Sequence, residues 1–257
     1  MYEQDLTPLE IDEAMITIGN KAPAYLTIGQ MYVPFANLES HMISDSLTLT
    51  IGEIREQALL LGAKTRGFYS SIYVFNGTNQ QGADNVIDHY GINLGFTKQA
   101  ENFGFDIDIN YINDMAHSYG LGFVNEDYVD GLAAYFILDA GSVNFISGYV
   151  TALNEFNPAY LAFNGVGAKP KAWNVELGYT LPIGEKETTL TIAYQGLEEA
   201  GVALELPERR YLATVSAGIF DKTVLSLEYA FSQDYDVADG GTGKDGYSAI
   251  LQLAVEF

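Results

Sequence analysis

Residues 172–181 read AWNVELGYTL, and large apolar side chains alternate along them with small or polar ones. Trp173, Val175, Leu177 and Tyr179 fall on one side of an extended chain, because successive side chains of a β-strand point to opposite faces. The other side carries Ala, Asn, Glu, Gly and Thr. An apolar face opposite a face of small polar groups is typical of a strand that separates lipid from the watery inside of a membrane barrel.

The same alternation recurs along the chain and predicts about thirteen strands. Many are longer than the roughly 5–6 residues of a globular strand, and they match the roughly 9–11 residues with which a tilted strand crosses a bilayer. We therefore expect an all-β fold, a transmembrane antiparallel β-barrel. The predicted strands cover residues 11–19, 25–35, 55–64, 67–76, 87–98, 103–114, 131–139, 143–153, 171–182, 188–197, 209–220, 223–234 and 246–257.

The connections between these strands alternate in length, as they do in Gram-negative outer-membrane barrels with short periplasmic turns and long outer loops. The short turns are residues 20–23, 64–66, 99–102, 140–142, 182–186 and 220–222, and the long connections are 36–54, 77–86, 115–130, 154–170, 198–208 and 235–245. The cell outer membrane is therefore the expected location. The last strand ends on Phe257, a terminal aromatic that resembles the signal presented to the barrel-assembly machinery.

The strand count has a consequence for closure. If the last strand ends in the periplasm, counting back through the turns makes strand 11–19 run inward as well. Bacterial barrels have an even number of antiparallel strands. We therefore expect residues 1–257 to be a single barrel domain that lacks an odd number of N-terminal strands.

Composition excludes several classes of function. The 257 residues carry 34 acidic and 12 basic side chains, a net charge of −22, which argues against binding the phosphates of nucleic acid. There is no Cys, so disulfides and thiolate metal sites are absent. We expect no cofactor, no metal site and no enzymatic activity. The three histidines, His41, His89 and His117, are expected to be solvated in or near outer loops, and no nucleophile-elbow motif accompanies them.

A set of polar residues shares the predicted inner faces of the strands. An acidic lumen with few opposing bases would favour cations, and Arg55 is the base best placed to oppose these acids. In Asp106-Ile107-Asp108-Ile109-Asn110, the three polar side chains share one face, and the Gly and Glu of a calcium loop are missing. The lumen-lining candidates are Glu13, Asp106, Asp108, Asn110, Glu176, Glu228 and Glu256.

The connection 36–54 is too apolar to extend into water, since it contains Leu47, Leu49 and Ile51. It could fold into the barrel as a constriction, or residues 47–51 could extend the next strand above the membrane. In the first case Glu53 and Arg55 would share a side facing the lumen. The candidates for the constriction and the mouth are Met42, Ser44, Asp45, Glu53, Arg55 and Glu56.

This part of the chain resembles the LbtU-type siderophore porin family. The similarity spans most of the chain and is densest over residues 11–77. Ser46 stands where members of that family commonly have Pro. The matching stretches are Ile11–Asn20, Tyr25–Phe35, Met42–Asp45, Leu47–Leu49, Gly52–Glu56 and Gly67–Gly77.

The resemblance implies an outer-membrane barrel of about sixteen strands that imports ferric siderophore, preceded by a signal peptide, a short coiled-coil stretch and about three strands. Its partners would be the lipid bilayer and a small ligand such as an iron–siderophore complex. Two other functions stay open: a non-selective or cation-preferring diffusion porin, and an outer-membrane hydrolase.

Overall fold

A computed structural model describes residues 11–19, 23–36, 39–77, 87–122, 128–184, 186–200 and 204–256. Thirteen strands form one antiparallel sheet in which neighbours follow chain order, and two short strands form a separate hairpin. The sheet contains β1 Ala14–Ile18, β2 Ala24–Tyr32, β3 Arg55–Thr65, β4 Phe68–Phe75, β5 His89–Ala100, β6 Phe103–Ile112, β7 Gly131–Ala140, β8 Val143–Ala152, β11 Lys171–Ile183, β12 Lys186–Glu198, β13 Arg209–Phe220, β14 Thr223–Gln233 and β15 Asp245–Val255. The hairpin consists of β9 Ala162–Phe163 and β10 Val166–Gly167.

The predicted all-β fold and its antiparallel strand order are confirmed. The prediction missed β9 and β10, which lie inside the connection 154–170. Over the residues that the structure describes, β1 pairs only with β2 and β15 only with β14, so the sheet is not closed. The turn residues 20–22 and Phe257 lie outside the described residues. None of the described helices has the length and apolar character needed to cross a membrane.

The two faces of the sheet differ as the alternation predicts. On β11, Val175, Leu177 and Tyr179 are exposed, whereas Asn174 and Glu176, which alternate with them, are buried. The outer face is therefore a continuous apolar surface, which suits a lipid solvent. The inner face is covered by chain that folds inside the curve of the sheet.

Glycines on the strands face large aromatic rings on the neighbouring strand. Tyr69 lies opposite Gly95 and Trp173 lies opposite Gly196. A Cβ atom at either glycine would come within 2.1 Å of the facing ring, so the ring occupies the space that a side chain would need. The same arrangement pairs Tyr25 with Gly62 and Tyr73 with Gly91.

The connection between β2 and β3 folds inward, which decides between the two structures predicted for it. Leu47–Gly52 forms a short helix, α1, that contacts β8, β11 and β12. Ser46 caps this helix, since its Oγ accepts a hydrogen bond from the backbone N–H of Leu49 at 3.1 Å. We call residues 39–54 the inner segment.

The buried apolar core lies inside the curve at the outer end of the sheet, the end opposite the short turns. It joins α1 to the loops that follow β6 and β8. Leu47 and Ile51 are fully buried there, which explains how these apolar residues avoid water. Their main partners in this cluster are Phe35, Ile54, Met115, Leu121, Val150, Phe156 and Leu161.

A charge placed on the outer face tests the membrane orientation. Leu227 is 52% exposed near the middle of β14, and we expect Leu227→Arg to lower the free energy of folding into bilayers by about 2–4 kcal/mol. The measurement is a denaturant titration of the full-length protein in phospholipid vesicles. Val237→Arg is the control, because Val237 is also exposed but lies beyond the end of β14. Equal effects of the two substitutions would contradict the assigned lipid face.

Candidate functional site

Two buried glutamates on the inner face hold the inner segment in place. The first is Glu176 on β11, which is completely buried. Its carboxylate accepts hydrogen bonds from Ser40 Oγ at 2.6 Å, from the backbone N–H of His41 at 2.9 Å and from Asn174 Nδ2 at 2.7 Å. Three donors converge on one carboxylate, which compensates for removing its charge from water.

The second glutamate is Glu228 on β14, which is 1% exposed. Its Oε2 accepts hydrogen bonds from the backbone N–H groups of Ile43 at 2.5 Å and Ser44 at 3.3 Å, and its Oε1 accepts one from Ser44 Oγ at 2.6 Å. Thr214 Oγ1 contributes another at 3.3 Å. A second stretch of the inner segment is therefore held by a charged acceptor on a strand that lies far along the chain.

Neighbouring contacts complete the docking of the segment. Met42 packs in a buried cluster with Ala193, Leu212 and Ala230. The carbonyl of Asp45 accepts a hydrogen bond from Arg210 Nη1 at 3.1 Å. Arg210 lies on β13, four residues before Thr214, which pairs with Glu228, and it was not among the predicted site residues.

These contacts change the electrostatic picture that the sequence suggested. Glu176 and Glu228 do lie on the inner face, but they are covered by the inner segment and accept its hydrogen bonds. The expectation that Arg55 is the base opposing these acids is wrong, since Arg210 is the base whose charge acts on Glu228. Neither glutamate contributes an open charge to a lumen.

Another group of acids surrounds a cavity of about 700 Å³ between the inner segment and strands β1 to β6. Four carboxylates from three parts of the chain contribute to it: Glu13, Glu39, Glu53 and Asp108. Tyrosines and amides fill the spaces between them. The other lining residues are Met15, Tyr25, Thr27, Met31, Tyr32, Pro34, Ala36, Leu60, Tyr69, Ser71, Asn93 and Asn110, so no Lys or Arg lines the described wall.

The predicted group Asp106, Asp108 and Asn110 forms one network on β6. Tyr69 donates its hydroxyl to Asp106 Oδ1 at 2.5 Å, and Asn110 Nδ2 donates to Asp108 Oδ1 at 2.9 Å. Asn93 Nδ2 donates a hydrogen bond to the side-chain oxygen Oδ1 of Asn110. The structure therefore places all three on the inner face, with Asp108 and Asn110 at the cavity wall and Asp106 beside it.

Arg55 lies elsewhere than expected. Its side chain is on the outer face of β3, as are those of the exposed Leu59 and Leu61, and its Nη1 pairs with Asp12 Oδ1 at 2.8 Å. The hydrogen bonds from Arg55 and Tyr32 hold the pKa of the Asp12 carboxyl below its usual range. Arg55 is thus a residue of the outer rim, and the idea that it shares a lumen-facing side with Glu53 is wrong.

Glu53 is the C-cap residue of α1 and lies at the cavity wall. Burial raises the pKa of its carboxyl above the ordinary value, and the neighbouring charges of Asp45 and Asp12 add to the shift. The Arg55 guanidinium opposes it. Two further candidates lie apart from the cavity: Glu56 is turned towards His117, and Glu256 is exposed beside the edge strand.

The expectation of solvated histidines is wrong for two of the three. His89 and His117 are 1% and 8% exposed and stand face to edge, with ring centroids 4.4 Å apart. His41 is exposed and contacts Asn144 through Nε2 at 2.6 Å. Among the described residues, none of these imidazoles has a Ser hydroxyl as a hydrogen-bond partner.

Solved structures of known proteins resemble this arrangement. The Pseudomonas putida OprB structure superimposes with a TM-score of 0.60 at 10% identity, over 95% of this chain and 72% of OprB. An anion-selective porin from Comamonas acidovorans gives 0.60 at 11% identity, over 95% and 77% of the two chains. The chain has the fold of an outer-membrane porin. The apolar outer face of the sheet agrees with the expected location in that membrane.

Sequence relatives carry a different name. A UPF0422 protein of Legionella pneumophila (strain Lens) is 29% identical over 292 residues, which cover 96% of this chain and 53% of the relative. A UPF0422 protein of Coxiella burnetii is 30% identical over 239 residues, covering 88% and 51%. The chain spans about half the length of these curated relatives, and no family model matches it. Their names do not mention siderophores.

Removing the charge of Glu228 should release the inner segment. In Glu228→Gln, the amide NH2 group faces donors where the carboxylate accepted from them, and we expect a loss of about 1–3 kcal/mol in stability. We also expect a larger single-channel conductance of the full-length protein in planar bilayers. Ser226→Ala is the matched control, since Ser226 lies on the same face two residues away and its hydroxyl bonds to that of Ser216 on the neighbouring strand rather than to the inner segment. Unchanged conductance in Glu228→Gln would contradict the anchoring role.

Proposed function

We propose that this chain forms the wall and the constriction of an outer-membrane channel for a small solute. The observation that supports this most is the acid-lined cavity between the inner segment and β1 to β6. Its volume of about 700 Å³ lies within the range of roughly 300–1,000 Å³ typical of sites for small molecules. The porin fold supplies the path across the membrane, and the inner segment narrows it.

The charge of the cavity restricts the class of solute. Glu13, Glu39, Glu53 and Asp108 create a negative potential that low-dielectric walls strengthen. A cationic or neutral solute is therefore favoured over an anion. Tyr25 and Tyr69 add flat aromatic surfaces and hydroxyl groups that suit a polar ring system.

A ferric siderophore is the substrate that the family resemblance implies, and we propose it as the first candidate. Many such complexes are anionic, and the acidic wall argues against those. We therefore propose that the complex admitted is neutral or positively charged, with its polar groups contacting Asn93 and Asn110.

The second candidate is a cation-preferring diffusion porin. The four carboxylates come from three parts of the chain, with Glu39 and Glu53 near the two ends of the inner segment. Such a dispersed arrangement attracts any small cation without recognising one. We propose neither function as enzymatic. The bilayer and the barrel-assembly machinery are the proposed partners of the chain.

Ion selectivity tests the acidic cavity. The full-length protein should prefer cations in reversal-potential measurements under a salt gradient, and the preference should fade near 1 M salt, where screening acts over about 3 Å. The pKa of Glu53 is raised. Acidification from pH 7 should therefore weaken the cation preference at a higher pH than that at which an ordinary Glu, with a pKa of about 4.3, protonates.

The Glu53→Gln variant should show a weaker preference at pH 7 and should lose the part of this change that Glu53 contributes on acidification. Glu101→Gln is the control, because it removes the same charge at the exposed turn between β5 and β6. Anion selectivity of the wild type, or equal effects of the two variants, would contradict the proposed role of the cavity.

Blocking of the current distinguishes the two candidate functions. If the channel imports a ferric siderophore, a neutral or cationic ferric complex should reduce the single-channel current at micromolar concentration, whereas an anionic complex of similar size should not. Asp108→Asn should weaken this block, since Asp108 lies at the cavity wall. A current insensitive to every ferric complex, together with cation selectivity, would favour the diffusion porin.

A further inference from the structure

A second site lies at the outer end of the sheet, apart from the acid-lined cavity. His89 is the first residue of β5, and His117 ends a one-turn 3-10 helix, Met115–His117, that follows β6. Asp114 caps that helix and lies three residues before His117. The fold thus brings two imidazoles and a carboxylate together at one point.

Three ligand atoms of these residues face one another. His89 Nε2 and His117 Nε2 are 3.0 Å apart, and Asp114 Oδ2 lies 3.4 Å from the first and 3.6 Å from the second. Zinc binds imidazole nitrogen and carboxylate oxygen at about 2.0–2.1 Å, so two ligands of a tetrahedral zinc ion are about 3.3 Å apart. The observed triangle has the size that a tetrahedral ion requires.

The outer nitrogens of both imidazoles face carboxylates. Asp88 Oδ1 is 2.8 Å from His89 Nδ1, and Glu56 Oε1 is 3.3 Å from His117 Nδ1. The backbone N–H of Gly77 is directed at the same Nδ1 from 3.4 Å and competes with Asp88, but the Asp88 contact is shorter. A carboxylate charge beside Nδ1 attracts a proton to that nitrogen, which would free Nε2 to bind a metal, as in carboxylate–histidine–zinc arrangements.

The third ligand is positioned by backbone groups. Asp114 Oδ1 accepts hydrogen bonds from the N–H groups of Ala116 at 3.0 Å and Val129 at 3.3 Å, which leaves Oδ2 directed at the imidazoles. The side chains of His89 and His117 are 0% and 1% exposed, and that of Asp114 is 8% exposed. The two Nε2 atoms share one hydrogen bond at 3.0 Å, and a cation bound between them and Asp114 Oδ2 would take the place of the shared proton.

The surroundings shape the site closely. The Phe75 ring packs against His89 with centroids 5.1 Å apart and against His117 with centroids 5.5 Å apart. A Cβ atom at Gly77 would lie 2.3 Å from His117 Nε2, so only glycine leaves room for the imidazole there. The rings are therefore fixed in the orientation that directs both Nε2 atoms to one point.

We propose that His89, Asp114 and His117 bind a divalent transition-metal cation of the zinc type, with water as a fourth ligand. Imidazole and carboxylate together suit such an ion, whereas calcium and magnesium prefer oxygen ligands alone. The site ties β5 to the loop after β6. The inference does not depend on which solute the channel carries.

The test uses full-length protein purified in detergent, stripped with EDTA, reloaded with zinc at micromolar concentration and washed. Elemental analysis should find one zinc per chain, and cobalt in its place should give the visible absorption of a tetrahedral complex. His117→Gln and Asp114→Asn should lose the metal. Glu56→Gln should bind it ten- to a hundredfold more weakly, as expected for the partner of a ligating histidine.

His41→Gln is the matched control and should retain the zinc, since His41 lies on the inner segment and contacts Asn144 instead. Heat-modifiable migration on gels checks that each variant is folded. The proposal is overturned if the folded wild type retains no stoichiometric zinc, if His117→Gln binds as much as the wild type, or if His41→Gln loses as much as His117→Gln. The wild-type measurement decides the matter even if a variant fails to fold.

Discussion

Backbone hydrogen bonding between neighbouring antiparallel strands is the interaction on which the rest of this structure depends. A bilayer offers no water to a backbone N–H or C=O group, and each unsatisfied group costs several kcal/mol. Neighbouring strands pair their backbone N–H and C=O groups with one another along their length. The side chains can therefore divide between the lipid face and the interior. The Gly–aromatic pairs follow from the same close strand spacing, since a ring such as that of Trp173 lies across the backbone of Gly196.

The interior of the sheet is organised by carboxylates in two different roles. Glu176 and Glu228 are buried and accept hydrogen bonds from the inner segment, so their carboxylates hold that segment in place. Glu53 and Asp108 lie at the cavity wall, where charge can act on a solute. The sequence does not separate these two roles. The position of an acid on a strand shows which face its side chain is on, but not which part of the chain packs against it.

The strands were predictable from the sequence because period-two alternation is a local property. The helix α1 was harder, since Leu47-Thr-Leu-Thr-Ile also alternates as a strand does, and only the Ser46 cap and the burial of Leu47 and Ile51 one turn apart favour a helix. The contacts of the inner segment were not predictable. Ser40 meets Glu176 across 136 residues, and Ser44 meets Glu228 across 184.

The same limit explains why the histidines were misplaced. His89 lies at the outer end of a strand and His117 in a long loop, 28 residues apart in the sequence, and polar residues at such positions are usually exposed. They come together because β5 and β6 are antiparallel neighbours, so the start of β5 lies beside the end of β6. The i, i+3 spacing of Asp114 and His117 was the one local signal available, and a single helical turn is weak evidence for a ligand pair.

The position of α1 links the two sites physically. One side of the inner segment is held by the glutamates of β11 and β14. The other side is held by the loop after β6, in which Tyr119 and Gly120 donate backbone hydrogen bonds to the carbonyls of Glu53 and Thr50 at 2.8 and 2.9 Å. That loop begins with Asp114 and His117. The inner segment is therefore held from two sides, and the backbone of Glu53 is bonded directly to the loop that carries Asp114 and His117.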